Sequence, residues 1–102
     1  MKVDDRILKT AQTFSEIIIK EYDVEQILLF GSHVKGTNHL MSDIDIHINV
    51  VDDVVWKELS LNVFQIKRLI DTRIDPKVEL DGIPGNLLEK IKDSSIVLFR
   101  KN

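Results

Sequence analysis

The sequence predicts an α/β (α+β) fold, a small mixed sheet of about four strands with helices mainly on one face, and three observations predict it. Ile44, Ile46, Ile48 and Val50 alternate with Asp43, Asp45, His47 and Asn49, the period of a strand with one buried face. Ile7, Leu8, Ala11, Phe14, Ile17 and Ile18 recur at three- and four-residue spacing, the period of an amphipathic helix. A second helical run, Val55, Leu59, Val63, Ile66 and Leu69 or Ile70, follows that strand, and two more short strand-like runs come after it.

Taken in order, the first helix spans about residues 4 to 21, with Asp4 or Asp5 placed to cap it. Tyr22 and Asp23 lead into a first strand at about 26 to 30, whose apolar run stops at Gly31. A short helix starts at about His33. Thr37, Asn38, His39, Leu40 and Met41 show neither period and read as a loop that returns the chain to the second strand at about 43 to 50. Asp52 and Asp53 open the second long helix, which continues to about Thr72. Trp56 near its start reads as core or partner-contact surface. Lys57, Lys67, Arg68 and Arg73 read as its solvated side, a basic arm able to meet an acidic partner. Asp75-Pro76 reads as the break after this helix, and Lys77 to Asp81 alternate as a third strand with Glu79 and Asp81 on one face. Gly82, Pro84 and Gly85 mark a turn, Leu87, Leu88 and Ile91 a short last helix, and Ile96 to Phe99 a final strand.

A chain of 102 residues supports one domain, residues 1–102, and one modest core, with no room for a separate substrate domain. Its hydrophobic content of 43% and charged content of 30% are those of a globular protein. With no cysteine there is neither a disulfide framework nor a thiolate metal site, which is compatible with a reducing cytoplasm. Charges at Lys2, Asp4, Asp5 and Arg6 precede the first apolar periodicity, and no apolar run reaches membrane-spanning length, so the expectation is a soluble, cytoplasmic protein. A net charge of −3 argues against stable, non-specific binding to nucleic acid, which calls for a strongly basic face.

Chemistry concentrates in two places. Gly31-Ser32 follows the first strand directly, where the backbone bends or approaches a ligand closely; Ser32 adds a hydroxyl and an N–H, and free N–H groups at a helix start favour a phosphate. Asp43 and Asp45 project from one side of the second strand, so their charges repel unless a cation lies between them. A hard cation such as Mg²⁺ uses one or two carboxylates together with substrate phosphates. The plainer alternative is a polar strand face in water. His33 and His39 lack the cysteines or helical His pair of a transition-metal site.

The run Leu29-Phe30-Gly31-Ser32-His33-Val34-Lys35-Gly36, followed by Ser42-Asp43-Ile44-Asp45-Ile46, resembles the signature of the DNA polymerase beta-like nucleotidyltransferase superfamily. It is most similar to the minimal nucleotidyltransferases, antitoxins that pair with HEPN-domain toxins, and the resemblance runs almost end to end. It implies attack of an acceptor hydroxyl on the α-phosphate of ATP, with Asp43 and Asp45 bridging two Mg²⁺ ions. Gly31 and Ser32 would hold the β- and γ-phosphates, and His33 and Lys35, where the superfamily often has arginines, would touch the triphosphate. A third acid belongs on a later strand in a Val-Asp-Leu setting, and Val78-Glu79-Leu80 occupies that place with a longer side chain. Asp81 and Asp75 are the alternatives, in that order. The implied partner is a HEPN ribonuclease toxin neutralised by AMP on a hydroxyl side chain, tyrosine among the candidates, in a homo- or hetero-oligomer. The competing expectations are an antitoxin that acts by binding alone, and transfer to a small molecule such as an aminoglycoside.

Overall fold

The structure is a computed structural model that describes residues 3–39 and 41–102; Leu40, in the expected 37–41 loop, lies outside the described residues. Helix α1 (Asp5–Glu21) begins where Asp4 Oδ1 accepts a 2.8 Å bond from the Arg6 N–H, satisfying a donor that the first turn leaves free. Strand β1 (Gln26–Phe30) leads through Gly31 into the four-residue helix α2 (Ser32–Lys35). Strand β2 (Ile44–Val50) is followed by helix α3 (Asp53–Arg68), capped by Asp52 Oδ1 on the N–H groups of Val54 and Val55 at 2.8 and 3.1 Å. Strand β3 (Ile74–Leu80), helix α4 (Leu88–Ile91), a 3₁₀ turn (Lys92–Ser94) and strand β4 (Ile96–Arg100) complete the chain.

The strands form one sheet in the order β3-β2-β1-β4. β1 runs antiparallel to β2 and β4, whereas β2 and β3 are parallel and joined by α3, the crossover that a parallel pair requires. The sheet is therefore mixed and four-stranded, as its alternations predict. Ile44, Ile46, Ile48 and Val50 of β2, with Ile27 and Leu29 of β1, bury one face. Ile7, Ala11, Phe14 and Ile18 of α1 and Leu59 and Val63 of α3 join them in one core. Trp56 lies against this core and donates its indole N–H to the Val78 carbonyl at 3.3 Å, which ties α3 to β3.

Two boundaries differ from the expectation. α3 ends at Arg68 instead of continuing to about Thr72, and β3 starts at Ile74, three residues earlier than the alternation from Lys77 implies. Asp75-Pro76 is thus inside a strand. β3 is an edge strand, where one side of the backbone lacks a neighbouring strand and a proline without an N–H is tolerated.

Candidate functional site

Asp45 is the centre of the polar face. On one side its register partner is Phe30 at the end of β1; on the other it is Asp75 on β3. Because β2 and β3 are parallel and in register, Asp45 and Asp75 stand side by side, and Asp43, two residues before Asp45, adds a third carboxylate at the same end of the sheet. Burial pushes the Asp45 carboxyl above its ordinary value, and the charges of Asp75 and Asp43 push it the same way; Lys77 and His33 pull against them. Lys77 is one step further along the same face of β3, its Nζ 3.6 Å from Asp75 Oδ2.

Gly31 closes the other wall. Its φ of 85° is in the left-handed region, and a Cβ there would collide with Asp45 Oδ2 and lie 3.0 Å from Asp45 Cγ. The turn therefore requires glycine both for its conformation and for the approach of the carboxylate. Beyond it, Gly36 ends α2 in the left-handed conformation, with its N–H on the Ser32 carbonyl. Lys35 is exposed, while His33 is buried with Nε2 3.4 Å from the Ser42 carbonyl. Ser42 is buried as well and accepts the His39 N–H on Oγ at 2.8 Å, bracing the loop that delivers Asp43. His33 thus serves the loop, a role that its spacing does not signal.

The expectation that Glu79 stands with Asp43 and Asp45 is corrected by the register. Glu79 pairs with Asn49, four residues beyond the Asp45–Asp75 pair, roughly 13 Å along the strands. Its carboxylate is already engaged: Oε1 accepts from His47 Nε2 at 2.5 Å and from the Leu88 N–H at 3.2 Å, and Oε2 accepts from the Leu87 N–H at 2.9 Å. Burial pushes Glu79 up, but the Leu87 N–H, His47 and the Leu88 N–H outweigh it and leave the carboxyl below its usual value. Asp81 is further away still and accepts from Asn49 Nδ2 at 3.1 Å. Glu79 holds the start of α4 and Asp81 holds Asn49 of β2, and Asp75, ranked last from the sequence, is the acid beside Asp45. The signal was available: Ile74, Pro76, Val78 and Leu80 alternate with Asp75, Lys77 and Glu79 once the proline is not taken as a boundary.

The donor set suits a hard cation. Among the described residues no three His, Asp or Glu side chains already converge on one metal position. Three carboxylates clustered without a cage, one of them raised by burial and then by the charges of the other two, fit an ion that draws most of its oxygens from substrate phosphates and water.

Comparison with known proteins agrees with this geometry. The family model "Polymerase beta, Nucleotidyltransferase" matches residues 12–102. A presumed nucleotidyltransferase from Sulfolobus solfataricus superposes with a TM-score of 0.68 at 22% identity, over 94% of this chain and 82% of the other. A toxin–antitoxin structure with AMP-PNP aligns with a TM-score of 0.58 at 22% identity, and a mutant MntA-HpeT toxin–antitoxin with 0.58 at 20%, each over 89% of this chain and 74% of the other. No curated protein sequence matches. The family match assigns the class, nucleotidyl transfer, and the strand-turn-helix beside the acidic strand pair is compatible with it. The chain belongs to the polymerase beta nucleotidyltransferase family.

Proposed function

We propose that this nucleotidyltransferase is the antitoxin of a toxin–antitoxin pair, and that it transfers AMP from ATP to a hydroxyl side chain, tyrosine being one candidate, of a HEPN ribonuclease toxin. The observation that carries the chemistry is the Asp45–Asp75 pairing across β2 and β3, with Asp43 alongside. The partner rests on the resemblance of the Gly31-Ser32 and Asp43-Ile44-Asp45 runs to minimal nucleotidyltransferases, and on the toxin–antitoxin proteins that share the fold.

In this reading Asp43, Asp45 and Asp75 hold Mg²⁺. The bound ions would neutralise phosphate charge and align the attacking and leaving oxygens. The acceptor oxygen forms a bond to the α-phosphorus as the bond from that phosphorus to the bridging oxygen breaks, and pyrophosphate leaves with the electron pair. Asp75, the carboxylate on the edge strand beside Asp45, takes the hydroxyl proton. Gly31 and Ser32 receive the β- and γ-phosphates through backbone N–H groups, and Lys35 meets the outer phosphates from its exposed position. Lys77, next to Asp75, favours the charged form of Asp45.

With Asp75 as the third acid the site needs no glutamate there, which supports catalysis over binding alone. The test is intact-mass analysis of the toxin encoded beside this chain after incubation with Mg²⁺ and ATP. Increments of one or more AMP, absent with Asp43→Ala/Asp45→Ala, are expected. A stable complex with no increment would leave an antitoxin that acts by occlusion, and modification of an aminoglycoside in place of the toxin would move the acceptor to a small molecule.

A further inference from the structure

Helix α3 is apolar on two sides. Its inner side supplies Leu59 and Val63 to the core, both with almost no exposure. On the outer side Val54, Lys57, Leu61, Phe64 and Arg68 follow at three- and four-residue spacing, and all five are exposed. Leu61 is 75% exposed, Val54 61% and Phe64 48%, and Leu69, just past the helix, is 89% exposed. One exposed leucine is ordinary, whereas an apolar series at helical spacing marks a surface that meets another molecule. Beside the stripe, α1 and α3 enclose a cleft of about 350 Å³ whose walls include Ile17, Tyr22, Ile66 and Leu69. That volume takes one or two large side chains.

We propose that the outer stripe of α3 and this cleft are the docking surface for a helix of another protein, one whose apolar residues are flanked by Asp and Glu. Charge selects this occupant. Lys57 and Arg68 interrupt the stripe and make no ion pair among the described residues, in a chain whose net charge is −3. In an antiparallel pairing of two copies, the register that sets Leu61 against Phe64 also sets Lys57 against Arg68, twice. A second copy is repelled where an acidic helix is attracted. An anionic membrane would also attract these cations, but a concave cleft with Asn62 and Gln65 in its lining suits an inserted side chain of a protein partner.

The position of the surface has a functional consequence. α3 covers the face of β2 that carries the isoleucines, and Asp43 and Asp45 belong to the other face. A partner seated on α3 leaves the carboxylates open, so holding the partner and modifying it are separable by mutation. The identity of the partner rests on the toxin–antitoxin reading above; the surface does not.

The test uses the purified toxin and the full chain: wild type, Leu61→Glu/Phe64→Glu and Lys57→Glu/Arg68→Glu, each checked for native circular dichroism. Calorimetry is expected to show at least a tenfold loss of affinity for both variants, with the charge-reversed pair losing its salt dependence as well. AMP incorporation at saturating toxin is expected to persist in both. Wild-type binding that both variants retain overturns the docking surface and leaves the antitoxin reading intact. A wild type that binds no toxin overturns both. Two controls speak to the other occupants. A wild-type dimer on size exclusion that Leu61→Glu/Phe64→Glu dissociates, or wild-type uptake by phosphatidylglycerol vesicles that the same variant loses, overturns the acidic-helix occupant.

Discussion

Asp45 sits where a carboxylate is disfavoured, partly buried and flanked by Asp75 and Asp43, and the fold bears that cost for the sake of the site. Its raised folded-state pKa means that the native chain holds a proton that the unfolded chain releases at lower pH. The contribution of this one group to stability is therefore fully present below the ordinary carboxylate range and is lost as pH rises through the raised value. Asp45→Asn is expected to raise the melting temperature at neutral pH by a few degrees while abolishing transfer, as measured by calorimetry and AMP incorporation. A lowered melting temperature would mean that Asp45 has a stabilising partner. Lys77 acts in the opposite direction: it pulls Asp45 down, so Lys77→Met is expected to move the acid limb of the kcat/KM profile to higher pH. An unmoved limb would show that Asp45 is not the titrating acid. Gly31→Ala places a methyl against the Asp45 carboxylate in a left-handed backbone, and a loss of about 1–3 kcal/mol is expected in urea unfolding, together with loss of transfer.

At the scale of elements, the outcome turned on β3. Periodicity located β2 and both long helices because each has one buried face against one core, and alternation over seven residues of β2 left little room for another register. Proline was the misleading residue. Its lack of an N–H ends a helix or a central strand, yet at an edge it costs little, and whether a strand is an edge is a property of the assembled sheet. Placing the start of β3 at Lys77 excluded Asp75 from the strand, and the likeness of Val78-Glu79-Leu80 to the family's third-acid setting brought Glu79 forward, whereas the Gly31 turn after β1 was legible from local spacing. The buried roles of His47 and Ser42 were not, since nothing in the chain order says that Glu79 meets His47 or that the His39 N–H meets Ser42. Paired variants separate the two acids. Asp75→Asn is expected to cut transfer about a hundredfold or more, since it removes a proposed ligand of the ion, with little change in melting temperature, since the repulsion relieved at Asp45 is offset by the lost Lys77 pair. Glu79→Gln is expected to leave the rate within a few-fold below its melting point but to cost about 1–3 kcal/mol, since the His47, Leu87 and Leu88 bonds lose their charge. The reverse pattern would restore Glu79 as the third acid.

For the whole molecule, the sheet divides the work: α1 and α3 build the core on one face, and the carboxylates gather at the end of the other, beside the Gly31 turn. A domain this small has a modest reserve of stability, so a like-charge cluster is a noticeable fraction of it. Anything that neutralises the cluster in the folded state alone must stabilise the whole chain. Mg²⁺ with a non-hydrolysable ATP analogue at about a hundred times its Kd adds roughly 2.7 kcal/mol to a single-site fold. For a chain of this length that is more than ten degrees in melting temperature. The expected result in thermal unfolding is a rise of this order for the wild type, a far smaller one for the analogue without Mg²⁺, and almost none for Asp45→Asn, although that variant starts from a higher melting point. The liganded wild type thus overtakes Asp45→Asn, because the substitution relieves the repulsion but also removes a carboxylate proposed to hold the ion. Equal increments in both would place nucleotide binding away from the Asp43, Asp45 and Asp75 carboxylates and remove the basis for assigning them the metal.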